Sequence, residues 1–550
     1  MNAQTECQCY PIASLPDTSA LFRDYTDARA ARDPAAVRRW FPADPFTLEW
    51  AHHAPTLGEL HAIALADILK MQAEHFGAGE AALANIERLR NGAAAVVSGQ
   101  QVGLFGGPLL VLLKAATAIR KAQDATRESG RPHVPIFWLA SEDHDLAEVD
   151  QVSLLSKTAV ERLSLNLSAA RPLPVGDMLL LGADGGAQLE SALERTSELL
   201  AWAPVCDLLR ECYIAGATLA GAFGRLLTRI FAEQGLIVMD AAARPYHALG
   251  APVLRYALEH AEELETALLA RSRELEAAGY HAQVLVSANH SLLFLVDTES
   301  GARLPLRRGT DGSWKAGSRA YVLPELLTIL DNEPERLSPN ALLRPVFQDA
   351  ILPTSAYVGG PAEIAYFAQS AVVYEQILGR VTPVLPRLSA TLVEPAIAKV
   401  MAQHEVELPQ IFEAKTVDNL AQRLGARAMP IESKRKLSAV GNAMDAELTA
   451  LTEYMTGLSA DLGKTAEVSG SKMRYQMNRL RRLAATFELQ KEASLRKHAD
   501  ALMLNLFPDG HPQERVLAGV WFLARYGETL PQLLVEYAGQ ECPGHRLISL

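Results

Sequence analysis

Val96-Val97-Ser98-Gly99-Gln100-Gln101-Val102-Gly103-Leu104-Phe105-Gly106-Gly107-Pro108 carries an apolar run into a glycine-rich turn and then into a helix that opens on proline. A turn of this kind leaves backbone N–H groups without partners at a helix N-terminus, where an anion is stabilised. Pro108 suits the first helical turn because its missing N–H would have had no partner there, and Gly106 and Gly107 let backbone approach a ligand closely. The device recurs at Tyr357-Val358-Gly359-Gly360-Pro361-Ala362-Glu363-Ile364, again after a short apolar run. Two such turns, each joining a strand to a helix, predict a built cavity.

Working outward, residues 94–97, 134–140 and 236–239 are short apolar runs separated by helical segments, the pattern of a parallel sheet covered by helices. The fold class is therefore α/β. Doubly wound sheets bind ligands at the carboxyl ends of their strands. Ser98-Gly99-Gln100-Gln101 and Ser141-Glu142-Asp143-His144-Asp145 would lie there. Residues 1–90 read as helices packed on this core, and the core itself runs over 91–395. Within it, residues 283–287, 292–296 and 303–307, with the turn Asp311-Gly312, predict a small antiparallel insertion at about 280–320. The α/β pattern then resumes: a helix over 340–352, a strand at 356–358, the second glycine turn and a helix through Tyr374. Thr382-Pro383-Val384-Leu385-Pro386-Arg387 returns to the sheet edge, since its prolines forbid a central strand.

Past residue 395 strand signals vanish. Leu437, Val440, Met444, Leu448, Leu451, Met455, Leu458 and Leu462 repeat at spacings of three and four, and after a break at Val468-Ser469-Gly470 a second stripe runs Met473, Met477, Leu480, Ala484, Phe487. Residues 396–510 thus predict an antiparallel coiled-coil hairpin, and 511–550 helices that pack on the core or on another subunit. The second arm is basic, with Lys472, Arg474, Arg479, Arg481, Arg482, Arg496 and Lys497. A solvated face explains these charges, and a nucleotide or phosphate site is the rival reading.

Composition narrows the function. The chain of 550 residues is too long for one ordinary core, and its 49% hydrophobic content is ample for packing. A net charge of −12 argues against coating nucleic acid. The longest apolar run, residues 102–119, carries three glycines, a proline and Lys114, so it makes a poor membrane span. Residues 1–6 lack the basic start and apolar core of a secretion signal, which points to the cytoplasm. Five cysteines, with only Cys7 and Cys9 close together and Cys206, Cys212 and Cys542 isolated, predict reduced thiols and no metal site.

Glu142-Asp143-His144-Asp145 crowds four polar, mostly ionisable side chains at a strand end, an arrangement that calls for water, a cation or a ligand nearby. Carboxylates near His144 would orient its ring and suit it to acid–base work or to binding an amine. A solvated loop in which Asp145 caps the next segment explains the same residues. Lys114 is expected to snorkel from its apolar helix, the alternative being a reach over the site. Arg344 needs a planar anionic partner, which Asp349, Glu363 or a substrate would supply. Glu363, in the first turn after Pro361, is favoured by the helix dipole alone. There is no Gly-x-x-x-x-Gly-Lys-Ser/Thr loop, no His-Glu-x-x-His, no Gly-x-Ser-x-Gly elbow and no kinase motif set.

Taken in order, Ser98-Gly99-Gln100-Gln101-x-Gly103-Leu104-x-Gly106-Gly107-Pro108, Phe137-Trp138-Leu139-Ala140-Ser141-Glu142-Asp143-His144-Asp145, Leu337-Ser338-Pro339-Asn340, Arg344-Pro345 and Gly359-Gly360-Pro361-Ala362-Glu363-Ile364-Ala365-Tyr366 resemble the cysteine-adding enzymes of bacillithiol biosynthesis, also called cysteine ligases. The resemblance spans essentially the whole chain. It implies a Rossmann-like core related to class I aminoacyl-tRNA synthetases and nucleotidyltransferases, with connecting-peptide insertions and a C-terminal coiled coil that helps form a homodimer. It also implies the last step in making this low-molecular-weight thiol, amide formation between the cysteine carboxyl and the amine of glucosaminyl-malate. That step is uphill from a free carboxylate, so an activated acyl group is needed, most simply an adenylate, and ATP is the implied cofactor. The synthetase pattern is nevertheless broken. Phe105-Gly106-Gly107-Pro108 stands where a His-x-Gly-His motif would open the helix, and no Lys-Met-Ser-Lys-Ser loop is present.

On this reading Glu142, Asp143, His144 and Asp145 are the catalytic candidates, with His144 the base for the sugar amine and the carboxylates orienting it or holding the amino group of cysteine. Gln100, Gln101, Gly106, Gly107, Gly359, Gly360 and Glu363 would wall the substrate site, and Arg344 would hold a carboxylate such as that of malate. Two rivals are a related ligase for another acid and amine, and a non-catalytic nucleotide-binding or scaffold protein acting through the basic arm of the coiled coil.

Overall fold

The computed structural model describes residues 7–27, 34–169, 171–181, 186–309 and 311–550; residues 1–6, read above for a leader, and the Cys7 side chain lie outside the described residues. The described chain forms two compact units, one of residues 7–391 with 514–546, the other of residues 392–513 with 547–550.

The first unit is built on five parallel strands, in chain order Ala94–Gln101, His133–Ala140, Ile237–Asp240, Thr354–Gly359 and Val384–Pro386. Their lateral order is fifth, fourth, first, second, third. The order reverses between the first and fourth strands, which is the doubly wound, Rossmann-like arrangement with its crevice at the switch point. The apolar runs are continuous because both faces are covered. Ala95 and Val97 pack with Leu65, Leu69 and Ile86 on one face, while Val96 packs with Ala118, Ala122 and Ala125 on the other. Val384–Pro386 lies at the edge, as its prolines require. Gly99 is needed where the first strand passes the second, since a Cβ there would sit 2.7 Å from the Trp138 carbonyl oxygen.

The insertion is a five-stranded antiparallel sheet of His290–Val296, Arg303–Arg308, Trp314–Ala316, Arg319–Tyr321 and Leu337–Pro339. Residues 283–287, expected as one of its strands, are not extended into a ladder. The Gln369 side-chain amide takes both backbone groups of Val284, at 2.9 and 2.8 Å, and so replaces a strand neighbour.

In the second unit, helices Ile431–Leu458 and Ala460–Lys491 form the coiled-coil hairpin. Thr456 meets Gly463, Leu448 meets Gly470, Asp445 meets Arg474 and Gly441 meets Arg481, so the arms run antiparallel. The chain reverses at Ser459, whose hydroxyl caps the second helix by accepting from the Asp461 N–H. This corrects the break expected at Val468-Ser469-Gly470: the helix passes straight through, Gly470 is buried where the arms approach, and Leu462 belongs to the second arm. Of the basic residues expected on the second arm, Arg474 pairs with Asp445 at 2.9 Å, while Arg496 and Lys497 stand on the following helix Ala493–Leu506, where Arg496 pairs with Asp418.

The cysteines also depart from expectation. Cys9 and Cys542, 533 positions apart, form a disulfide. Spacing along the chain cannot reveal that the N-terminal strand Cys7–Tyr10 lies against Gly544. Cys206 and Cys212 are buried thiols, and burial pushes the Cys212 thiol up to about 11. Among the described residues no helix is long and apolar enough to cross a membrane, and no group of three or more His, Cys, Asp or Glu is gathered for a metal ion.

Candidate functional site

The carboxyl ends of the first, second and fourth strands open onto a cavity of about 420 Å³ at the switch point. Gly99, Gln100, Gln101, Trp138 and Ala140 come from strand ends, Gly360 to Glu363 from the second glycine turn, and Arg344, Arg387 and Arg515 from outside the sheet.

Lys114 is drawn into this wall and does not snorkel. It sits in the second turn of helix Leu110–Ser129, is 3% exposed, and its ammonium pairs with the Glu363 carboxylate while donating to the Gly99 carbonyl (2.7 Å) and to Gln100 Oε1 (2.9 Å). Burial lowers the Lys114 pKa, against the pull of Glu363. Glu363 is just as deeply engaged. It accepts from the Gly360 N–H (2.7 Å) and the Tyr357 hydroxyl (2.5 Å). Burial would raise its pKa, but Lys114 and the Gly360 amide hold the carboxyl below the usual range, so the ion pair persists. Arg344 opens helix Arg344–Ile351, donates to the Tyr366 hydroxyl at 2.6 Å and lies over the Tyr357 ring. Asp349, a partner considered for it, is instead held by Tyr374 and Gln348. Against burial, Tyr366, Tyr357 and Glu363 keep the guanidinium charged.

The first glycine turn is used differently from the expectation. Phe105, Gly106 and Gly107 all adopt positive φ, so the chain there is a tight reversal. Gly106 N–H donates to the Tyr213 hydroxyl (3.1 Å), Gly107 N–H to the Leu104 carbonyl (3.1 Å) and Leu109 N–H to the Leu517 carbonyl (2.8 Å). Residues 517–519 therefore cover this helix N-terminus, with Gly519 N–H donating to the Gly107 carbonyl at 3.0 Å. Gly106 and Gly107 do not line the cavity, because their amides are spent on the protein itself. Gly359, expected in the same wall, is buried in the sheet and does not line the cavity: its carbonyl accepts from the Arg387 N–H at 3.0 Å, tying the fourth strand to the fifth.

Beside the cavity, at the end of the second strand, stands the acidic corner. Gln101 joins the two, donating to Asp143 Oδ2 at 2.9 Å. Glu142 Oε1 lies 2.6 Å from Nε2 of the fully buried His247, whose Nδ1 donates to the Leu337 carbonyl at 3.0 Å. Burial would lower the His247 pKa, but Glu142 and that carbonyl raise it above the ordinary histidine value. His144 has the opposite bias: burial, with Arg303, lowers its pKa, and Nε2 has no hydrogen-bond partner among the described residues. Ser141 donates to Asp240, whose carboxyl burial pushes up to about 6. Asp145 is exposed and stands at the N-cap of Leu146–Val149 without a capping side-chain bond.

Gln100, Gln101, Arg344, Gly360 and Glu363 are thus brought together as sequence reasoning expected, and Glu142, Asp143 and His144 stand next to them. Lys114, Tyr357, Tyr366, Arg387, Arg515, Asp240 and His247 escaped it as site residues. Asp240 carried a usable signal, a carboxylate ending the apolar run Ile237–Asp240. Arg515 carried none.

A doubly wound core with a switch-point cavity lined by cations and a carboxylate–histidine corner beside it defines a Rossmann-like protein. The chain belongs to the bacillithiol biosynthesis BshC family: residues 6–388 match its N-terminal Rossmann-like domain and residues 390–550 its C-terminal coiled-coil domain. A protein of Koribacter versatilis named "Putative cysteine ligase BshC" is 42% identical over 98% of this chain and 99% of its own length. Proteins of the same name from Solibacter usitatus and Chlorobaculum tepidum are 36% identical over 83% of this chain (84% of their own) and 31% identical over 97% of each.

Proposed function

We propose that this protein is a cytoplasmic, homodimeric ligase that joins the carboxyl group of L-cysteine to the amine of glucosaminyl-malate, the last step of bacillithiol biosynthesis. The observation that carries the reading is the junction through Gln101 of a cavity rich in arginine with a corner holding a histidine whose pKa is lowered. A substrate that carries both carboxylates and an amine needs both halves. Arg344 holds a malate carboxylate, and Gln100, Gln101, Gly360 and Glu363 form the wall around it. Glu142, Asp143 and Asp145 bind the amino group of cysteine or orient His144. Nε2 of His144 takes a proton from the sugar ammonium, the freed lone pair attacks the carbonyl carbon of an acyl-activated cysteine, the C–N bond forms as the bond to the leaving group breaks, the leaving group departs with that electron pair, and the second proton on the nitrogen passes to water to leave the neutral amide. Apolar side chains left exposed on the hairpin, among them Val440, Leu451, Leu480 and Phe487, support the homodimer.

The amides of the first glycine turn are satisfied within the chain, so that turn does not fit a phosphate, and no step is routed through ATP. The test is product mass after incubation of the purified protein with both substrates, with and without ATP and magnesium. His144→Ala is expected to lower kcat by about 100-fold or more. Because burial keeps His144 neutral to lower pH than an ordinary histidine, the acid limb of kcat/KM should fall below pH 6.5. Full activity in His144→Ala would remove the base assignment.

A further inference from the structure

The disulfide between Cys9 and Cys542 lies where solvent reaches it, Cys9 being exposed and Cys542 half-buried. Cys206 and Cys212 are buried thiols and take no part in it. The bond fastens the strand Cys7–Tyr10 beside the segment after Cys542, where Gly544 packs so tightly against the Tyr10 carbonyl that no Cβ would fit. Close behind, His545 is fully buried between the Ser389 and Thr391 hydroxyls, at 2.8 Å from each. Ser389 also donates to Glu514 at 3.1 Å, and Glu514 fixes Arg387, a residue of the cavity wall. A short chain of side chains thus runs from the disulfide to the cavity.

We propose that Cys9–Cys542 is a thiol–disulfide exchange site for small thiols, and that opening it loosens the segment carrying His545 and, through Ser389 and Glu514, the Arg387 wall. A chain of 550 residues with packed cores does not need one bridge as a framework, and bridges open to solvent are the labile ones. An incoming thiolate attacks the sulfur of Cys9, the more exposed partner. The new S–S bond forms as the Cys9–Cys542 bond breaks, and that electron pair leaves on Cys542, which takes a proton. A second thiolate attacks the small-molecule sulfur of the mixed disulfide, Cys9 leaves with its electron pair and is protonated, and the two small thiols depart as their disulfide. The protein gains two electrons and two protons, which the two thiols give up. Because the bridge closes a loop over 533 positions, the oxidised form is also the more stable.

The test treats the folded, full-length protein with millimolar glutathione and maps the cysteines by alkylation and peptide mass, in wild type and in a Cys7→Ser background that leaves one N-terminal cysteine. Protein purified without reductant should yield the Cys9–Cys542 cross-linked peptide. Glutathione should open it without unfolding the chain, oxidised glutathione should close it again, and Cys542→Ser should hold glutathione on Cys9. On opening, amide hydrogen exchange at residues 387–391 and 541–546 should quicken by about tenfold or more, and the unfolding midpoint should fall by several degrees. Cys9→Ser should match the reduced protein and ignore glutathione. A bridge that yields only when the protein unfolds, or none in the oxidised protein, would overturn the exchange site; unchanged exchange at 387–391 would overturn its link to the cavity. None of these readouts depends on catalysis, so a protein that forms no amide product would lose the ligase reading and keep this one.

Discussion

Lys114→Met should destabilise the protein by about 3–5 kcal/mol and abolish anion binding in the cavity. The substitution nearly preserves side-chain length and removes the charge. It leaves the Glu363 carboxylate with the Gly360 N–H and the Tyr357 hydroxyl as partners but no cation. It also strips a donor from the Gly99 carbonyl and from Gln100, so the end of the first strand loses the group that fixes it. The second half of the test separates charge from packing. Lys114→Met combined with Glu363→Gln should recover most of the lost stability, because no carboxylate is then buried alone, but it should not recover malate binding. Denaturant midpoints at constant m-value read the stability, and calorimetry reads the binding. A single substitution costing under about 1 kcal/mol would mean that water reaches Glu363 and that the pair does not organise the cavity.

Glu514→Ala should cost a similar amount, about 3–5 kcal/mol, since it strands Arg387 in a wall where both partners are almost fully covered. The pH dependence gives this prediction its sign. Burial would raise the Glu514 pKa, but Arg387 holds it down to about 2. Its contribution is therefore complete above the unfolded value of 4.5 and is lost as pH falls through that value toward about 2. The neighbouring His545, bonded to Ser389 and Thr391, is pushed down to about 4 by burial. It favours the folded state above 6.5 and withdraws that support as pH falls toward 4. Urea unfolding across pH 7 to 3 should show wild type losing stability in two overlapping stages, with the lower one missing in Glu514→Ala. Parallel curves for the two proteins would show that Glu514 is not the titrating group.

The parallel sheet was legible because each strand is an apolar run with helical sequence on either side, and prolines mark Val384–Pro386 as an edge from the sequence alone. The acidic corner was legible for a related reason: ionisable residues that end a buried strand have few places to go but a strand-end crevice. Arg344 and Glu363 announced themselves as charges in apolar helices. What failed was partner choice. Lys114 looked free to snorkel because its partner stands at the start of a helix far along the chain. Gly106 and Gly107 looked like free donors because nothing local shows that Tyr213 takes the Gly106 N–H or that the reversal turns the Gly107 N–H onto the Leu104 carbonyl. Gly470 looked like a break because a glycine that ends a helix and a glycine that lets two helices approach have the same symbol.

By itself, then, the sequence determined the elements, their winding and the strand ends where chemistry gathers, since periodicity and turn residues act over a few positions. Tertiary structure alone decided which charges are neutralised: Lys114 by Glu363 and Arg387 by Glu514. It also decided that Cys9 meets Cys542. The physical reason is range. Backbone preference is set by near neighbours, whereas a buried charge or thiol is defined by whatever the folded chain brings within a few ångströms of it, and that can come from any point along its length.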